Sequence, residues 1–165
     1  MTGRLWRQRP IPHIDGGLRM PPIAKWLGYA GLLPQLWALT VLLVGNPESR
    51  FTALALGYAY AALILSFLGG MWWGLAAQAR AVIPAWVWGA AIAPSLIALA
   101  STLPWAVGAR WPGPSLALLG GSLLASLAVD YSLAAAGLCP NWWLKLRVPL
   151  SVGLGGLTLW IGYFA

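Results

Sequence analysis

The sequence predicts an all-α membrane protein: a bundle of five transmembrane helices with the N-terminus on the inner face and the C-terminus on the outer one. Three observations predict it. Of the 165 residues, 60% are hydrophobic and 8% charged, against about 25% charged in an average soluble domain. A chain so poor in charge cannot cover its own surface in water, and lipid removes that requirement. Five long apolar runs are separated by short polar or Pro/Gly breaks, and each is close to the roughly 20 residues that cross about 30 Å of hydrocarbon. The cations are distributed unequally between alternate breaks, as the positive-inside rule requires.

The elements follow in order. Residues 1–25 form a basic, Pro/Gly-rich arm with Arg4, Arg7, Arg9 and Arg19. Pro10, Pro12, Gly16, Gly17, Pro21 and Pro22 oppose a long helix there. The first span covers about 26–44, and Asn46-Pro47-Glu48-Ser49-Arg50 ends it with turn-forming residues. The second covers about 51–77. Gln78-Ala79-Arg80 makes a tight hairpin into the third, about 81–103, with Pro84 in its first turn and Pro94 near its middle, where a kink is expected. A Pro/Gly/Trp loop leads to the fourth span, about 115–138. The segment Cys139 to Arg147 separates it from the fifth, about 148–165.

With the N-terminus inside, the inner face carries Arg4, Arg7, Arg9, Arg19, Lys25, Arg80, Lys145 and Arg147, and the outer face carries Arg50 and Arg110. Trp26, Trp72, Trp73, Trp86, Trp88, Trp142 and Trp143 fall near inner ends of spans, and Trp105, Trp111 and Trp160 near outer ends. This matches two interfacial aromatic belts. Trp37 alone is deep, as a packing or lipid-facing residue. The net charge of +7 is read as topology and attraction to anionic lipid at the inner face. Basic and aromatic residues are not interleaved in one stretch, so nucleic acid is not an expected partner. Arg outnumbers Lys, and Ala, Gly, Leu and Pro abound, a composition that suggests a GC-rich bacterial source.

Polar groups inside a bilayer are costly and face the bundle interior. Asp130 is the one ionisable residue well inside a span, and Arg147 near the start of the fifth is its expected partner. Tyr131 offers a hydroxyl at similar depth. Gln35 in the first span and Ser66 in the second add further polar groups, with Tyr58, Tyr60 and Ser95 beside them. Such residues commonly hydrogen-bond between helices. Small residues are expected at helix contacts: Gly69 and the Gly70/Gly74 pair, then Ala117, Gly121 and Ala125, then Ser151, Gly153, Gly155 and Gly156.

The residue set excludes several chemistries. His13 is the single histidine and Cys139 the single cysteine. No haem-ligating or metal-binding cluster is legible, nor a disulfide, nor a Ser/His/Asp set, nor a phosphate loop. No cofactor is expected.

Four stretches carry a resemblance: Trp26 to Pro34; Tyr60 to Gly70 followed by Trp73-Gly74; Ala93 to Ala98; and Asp130 with Trp142 to Arg147 and Pro149-Leu150-Ser151. In this order they resemble the transmembrane-protein-69-like family, five-span proteins of bacteria and mitochondria. The likeness covers nearly everything after Pro22. It implies an inner-membrane location and supplies no catalytic residue. Members of that family often carry a histidine just before the Trp-Gly of the second stretch, where this chain has Trp72.

The expected function is a non-catalytic accessory or assembly subunit of a larger inner-membrane complex, respiratory or photosynthetic. Other integral membrane subunits are its partners, and the arm is a contact for one of them. The alternative is a small transporter or channel with Asp130, Gln35 and the Pro94 kink in its path. Its weakness is an odd number of spans with no evident inverted repeat. One carboxylate and one thiol are a thin basis for an enzyme.

Overall fold

Residues 19–79 and 82–165 are described by the computed structural model of the chain. They form α1 (Pro22–Ala30), α2 (Leu33–Val44), α3 (Pro47–Gln78), α4 (Ala85–Ala100), α5 (Leu103–Ala106), α6 (Gly113–Ala135) and α7 (Trp143–Tyr163), with no strand among the described residues. Helices α1 and α2 are two pieces of one span, as are α4 and α5. The result is five stretches long and apolar enough to cross a membrane. The protein is therefore of the multi-pass membrane type. Arg4, Arg7, Arg9, His13 and Arg80, and the expected partner contact of the arm, lie outside the described residues. Helix α3, 32 residues long, is the central post and touches α2, α4, α6 and α7.

Two spans are broken where the sequence reading had them continuous, and both breaks have one cause. Proline lacks the amide hydrogen that would bond the carbonyl four residues back, and its ring clashes with that carbonyl. Pro34 ends α1 at Ala30, and Pro104 ends α4 at Ala100. An α3 tyrosine ties each break. The Tyr60 hydroxyl donates to the Gly31 carbonyl at 2.5 Å, and the Tyr58 hydroxyl lies 2.9 Å from Ser101 Oγ. Irregular backbone at membrane depth is tolerated where protein groups satisfy it. The interruption of the third span thus falls at Ser101–Thr102, while α4 runs on through Pro94.

Helix ends also differ from the expected boundaries. The second span begins at Pro47, because Asn46 caps it: the Ser49 amide donates to Asn46 Oδ1 at 2.8 Å. Pro84 precedes α4 and stands at its N-cap. Helix α6 closes earlier, at Ala135, through a Schellman turn in which Gly137 takes φ +70. There Leu138 N bonds Leu133 O and Gly137 N bonds Ala134 O. Helix α7 starts at Trp143, so Arg147 stands on its second turn and no longer in a loop.

Glycine sets the spacing of the helices, though not at every glycine expected. Along the antiparallel α6–α7 pair, Gly113 faces Gly162, and seven residues on Gly120 faces Gly155. A Cβ on Gly120 would lie 2.8 Å from Leu159 Cγ, and one on Gly155 would lie 2.9 Å from Leu124 Cγ. Gly69 backs onto the Ala91 carbonyl of α4. By contrast Gly70, Gly74 and Gly121 have open space where a side chain would go. The ladder Ala117, Gly121, Ala125 is exposed along its length. These glycines, expected at helix contacts, make none among the described residues. Every face of these helices is apolar, so hydropathy does not reveal which one turns inward.

Candidate functional site

The glycine register of α6 and α7 brings Asp130, five residues before the end of α6, to the level of the first two turns of α7. Asp130 is fully buried and Arg147 nearly so. Arg147 Nε donates to Asp130 Oδ2 at 2.8 Å. The other carboxylate oxygen, Oδ1, accepts two indole hydrogens: Trp72 Nε1 at 2.9 Å from α3 and Trp143 Nε1 at 3.0 Å from α7. Arg147 Nη2 also reaches Ser126 Oγ at 3.3 Å, and that hydroxyl donates its own hydrogen to the Leu123 carbonyl at 2.7 Å. One acid and one base thus meet in a charge-neutral centre that joins α3, α6 and α7. A buried ion pair is tolerable only with its remaining lone pairs satisfied. The two indoles provide that.

By its place in the sequence Trp72 belongs to the inner aromatic belt. The structure instead buries it in the core, at 2% exposure. By its place in the sequence Arg147 is one of the inner-face cations. Its charge is instead enclosed with Asp130, which leaves Lys145 exposed nearby. Tyr131 follows Asp130 by one residue, about 100° around the helix. It points outward, 53% exposed, and takes no part in the centre.

Gln35 belongs to a second buried centre. Its Nε2 donates to Thr158 Oγ1 at 2.8 Å and to the Gly57 carbonyl at 3.2 Å. Gly57 is small there because α2 and α3 approach closely: its Cβ would lie 3.2 Å from that of Ala38. Thr158 stands three turns beyond Arg147 on α7, about 16 Å by helix rise. No hydrogen bond among the described residues links the two centres. Ser66 and Ser95 pair at 2.9 Å between α3 and α4, apart from both. The residues of the expected polar path are therefore distributed over three separate contacts.

Cys139 lies in the turn between α6 and α7 and packs against the core. Burial pushes its thiol up to about 11, with the negative charge of Asp130 adding to the effect. A thiol held in its neutral form is a poor nucleophile. No cluster of three metal-ligating side chains occurs among the described residues. The geometry therefore supports cohesion of helices.

Sequence reasoning missed Trp72 and Trp143 as carboxylate ligands. The one signal was that Trp72 shares α3 with Tyr60, Ser66 and several glycines, too general to single it out. Fold and site together define a five-span membrane protein sealed by an internal ion pair. The chain belongs to the family described as "Protein of unknown function (DUF3429)", which matches residues 20–163. No match occurs among curated proteins or among solved structures.

Proposed function

We propose that this protein is a non-catalytic accessory or assembly subunit of a larger complex in a bacterial inner membrane. The observation that carries the reading is the outward orientation of its small-residue motifs. Gly70, Gly74 and the Ala117–Gly121–Ala125 ladder are surfaces of the kind on which membrane helices approach closely; among the described residues nothing fills the space beside the three glycines, and Ala117 and Ala125 are exposed. The closed hydrogen bonding of Asp130 adds support, since a carboxylate with three donors on it is suited to holding helices together. The arm and Lys145 lie on the cytoplasmic side and the C-terminus on the periplasmic side in this reading, following the cation distribution. The sequence resemblance to the transmembrane-protein-69-like proteins fits the inner-membrane assignment. An imidazole at the position of Trp72 would also present an N–H to Asp130.

The test is purification from native membranes in a mild detergent, with partners identified by mass spectrometry. Wild type is expected to carry other integral membrane subunits, with respiratory and photosynthetic assemblies screened first. Gly121→Leu, which fills open space, is expected to lose them while melting at the wild-type temperature. A wild-type protein that runs alone as a monomer refutes the reading.

A further inference from the structure

A second feature lies against the ion-pair centre and is not used by it. A cleft of about 430 Å³ opens where α1 breaks from α2, walled by α3 and α7. Its size falls in the usual range for small-molecule sites. Its rim includes Leu27 and Phe67, both exposed, so it opens toward lipid. Its walls are almost wholly apolar, with Gly31 and Trp142 among them. Arg147 and Ser151, on successive turns of α7, line it, together with Tyr60, whose hydroxyl is bonded to Gly31, and the indoles of Trp142 and Trp143, the latter bonded to Asp130.

Ser151 is the telling residue. It is 2% exposed, and its Oγ has no hydrogen-bond partner among the described residues. Several other hydroxyls in these helices fold back onto their own backbone, as Thr158 does to Leu154, Ser126 to Leu123 and Thr40 to Leu36. Ser115 Oγ on α6 is also without a partner among the described residues, but it does not line this cleft. A buried hydroxyl left without a partner is unfavourable, and this one borders a cavity that can hold a partner. Arg147 is already neutralised by Asp130, so an anionic head group would bring an unpaired charge into a low-dielectric site. The site asks for a neutral hydrogen-bond acceptor on an apolar body. Depth narrows the choice. Ser151 lies eight residues past Trp143, about 12 Å further along the axis, well inside a hydrocarbon layer about 30 Å thick. An ester carbonyl anchored beside a phospholipid head group would not sit at that level, whereas a head group that itself dissolves in hydrocarbon does.

We infer that the cleft is a binding site for an isoprenoid quinone. A ring carbonyl accepts from Ser151 Oγ beside Arg147, and the tail leaves past Leu27 and Phe67. The inference does not depend on the accessory-subunit reading. The test uses the full chain in phosphatidylcholine nanodiscs, titrated with decylubiquinone and followed by quenching of tryptophan fluorescence. Saturable quenching in the presence of excess phospholipid is expected. Ser151→Ala, which removes only the unpartnered hydroxyl and keeps the wild-type melting temperature, is expected to weaken binding about tenfold, the effect of one hydrogen bond. Ile64→Trp, which fills the cleft from α3, is expected to abolish it. Quenching that never saturates and is equal in all three proteins shows ordinary lipid in the groove and overturns the proposal. Saturable binding unchanged by Ser151→Ala overturns it as well.

Discussion

Replacement of Arg147 by methionine isolates the central interaction of the bundle. The substitution keeps an unbranched side chain and removes the charge. Asp130 Oδ2 then loses its 2.8 Å donor, while Oδ1 keeps its two indole hydrogens. The side chains of the pair are 8% and 0% exposed, so solvent screening gives little relief. Leaving one partner of a buried pair uncompensated costs about 3–5 kcal/mol. At about 2–4 °C per kcal/mol for a chain of this size, the melting temperature should fall by roughly 10 °C. Trp72→Phe removes one hydrogen bond to the same carboxylate and leaves two, so its loss should be smaller, about 1.5–3 kcal/mol. The double substitution Asp130→Asn with Arg147→Gln replaces ions by neutral amides and should recover much of the loss of either single change. The assay is thermal unfolding in mild detergent with a thiol-reactive dye. Cys139, the one cysteine of the chain, is half-buried beside this centre and reports its opening directly. A fall of less than about 2 °C for Arg147→Met, or a double variant worse than both singles, refutes the claim that an enclosed ion pair fastens α6 to α7.

Three further outcomes are expected. Gly120→Leu should unfold the α6–α7 pair, since even a Cβ there would meet Leu159 at 2.8 Å, whereas Gly74→Leu should leave the melting temperature within about 2 °C of wild type; equal effects would contradict the inward and outward assignment. The Cys139 thiol, raised from 9.0 to about 11, exposes roughly one-hundredth of the usual thiolate at pH 8, so maleimide labelling of folded protein should be about 100-fold slower than in detergent-denatured protein. Labelling should accelerate as pH rises toward 11, and Asp130→Asn should speed it modestly by removing the smaller, electrostatic cause. A periplasm-active reporter fused after Ala165 should be active and one fused within the arm silent; the reverse pattern would overturn the orientation drawn from the cations.

Five segments long and apolar enough to cross a membrane, and their rough bounds, can be read from the amino-acid order. That is legible because spanning depends on the summed transfer free energy of a contiguous stretch and on backbone hydrogen bonds made within it, both local properties. Helix rise likewise puts Asp130 about 12 Å from the inner end of its span, within reach of Arg147 from the start of the next. What depends on rotation about each helix axis emerges only when the helices pack. Lipid is as apolar as the core, so no hydropathy stripe marks the inward face. Gly120 rather than Gly121 therefore turned out to be buried, and Trp72 left the interfacial belt for the carboxylate of Asp130. The breaks at Gly31 and Ser101 had a local cause in Pro34 and Pro104. Their acceptance within a span rests on Tyr60 and Tyr58 of α3, partners whose positions only the assembled bundle supplies. The cleft at Ser151 is likewise a property of the assembly, formed where one broken helix fails to fill the space beside two intact ones.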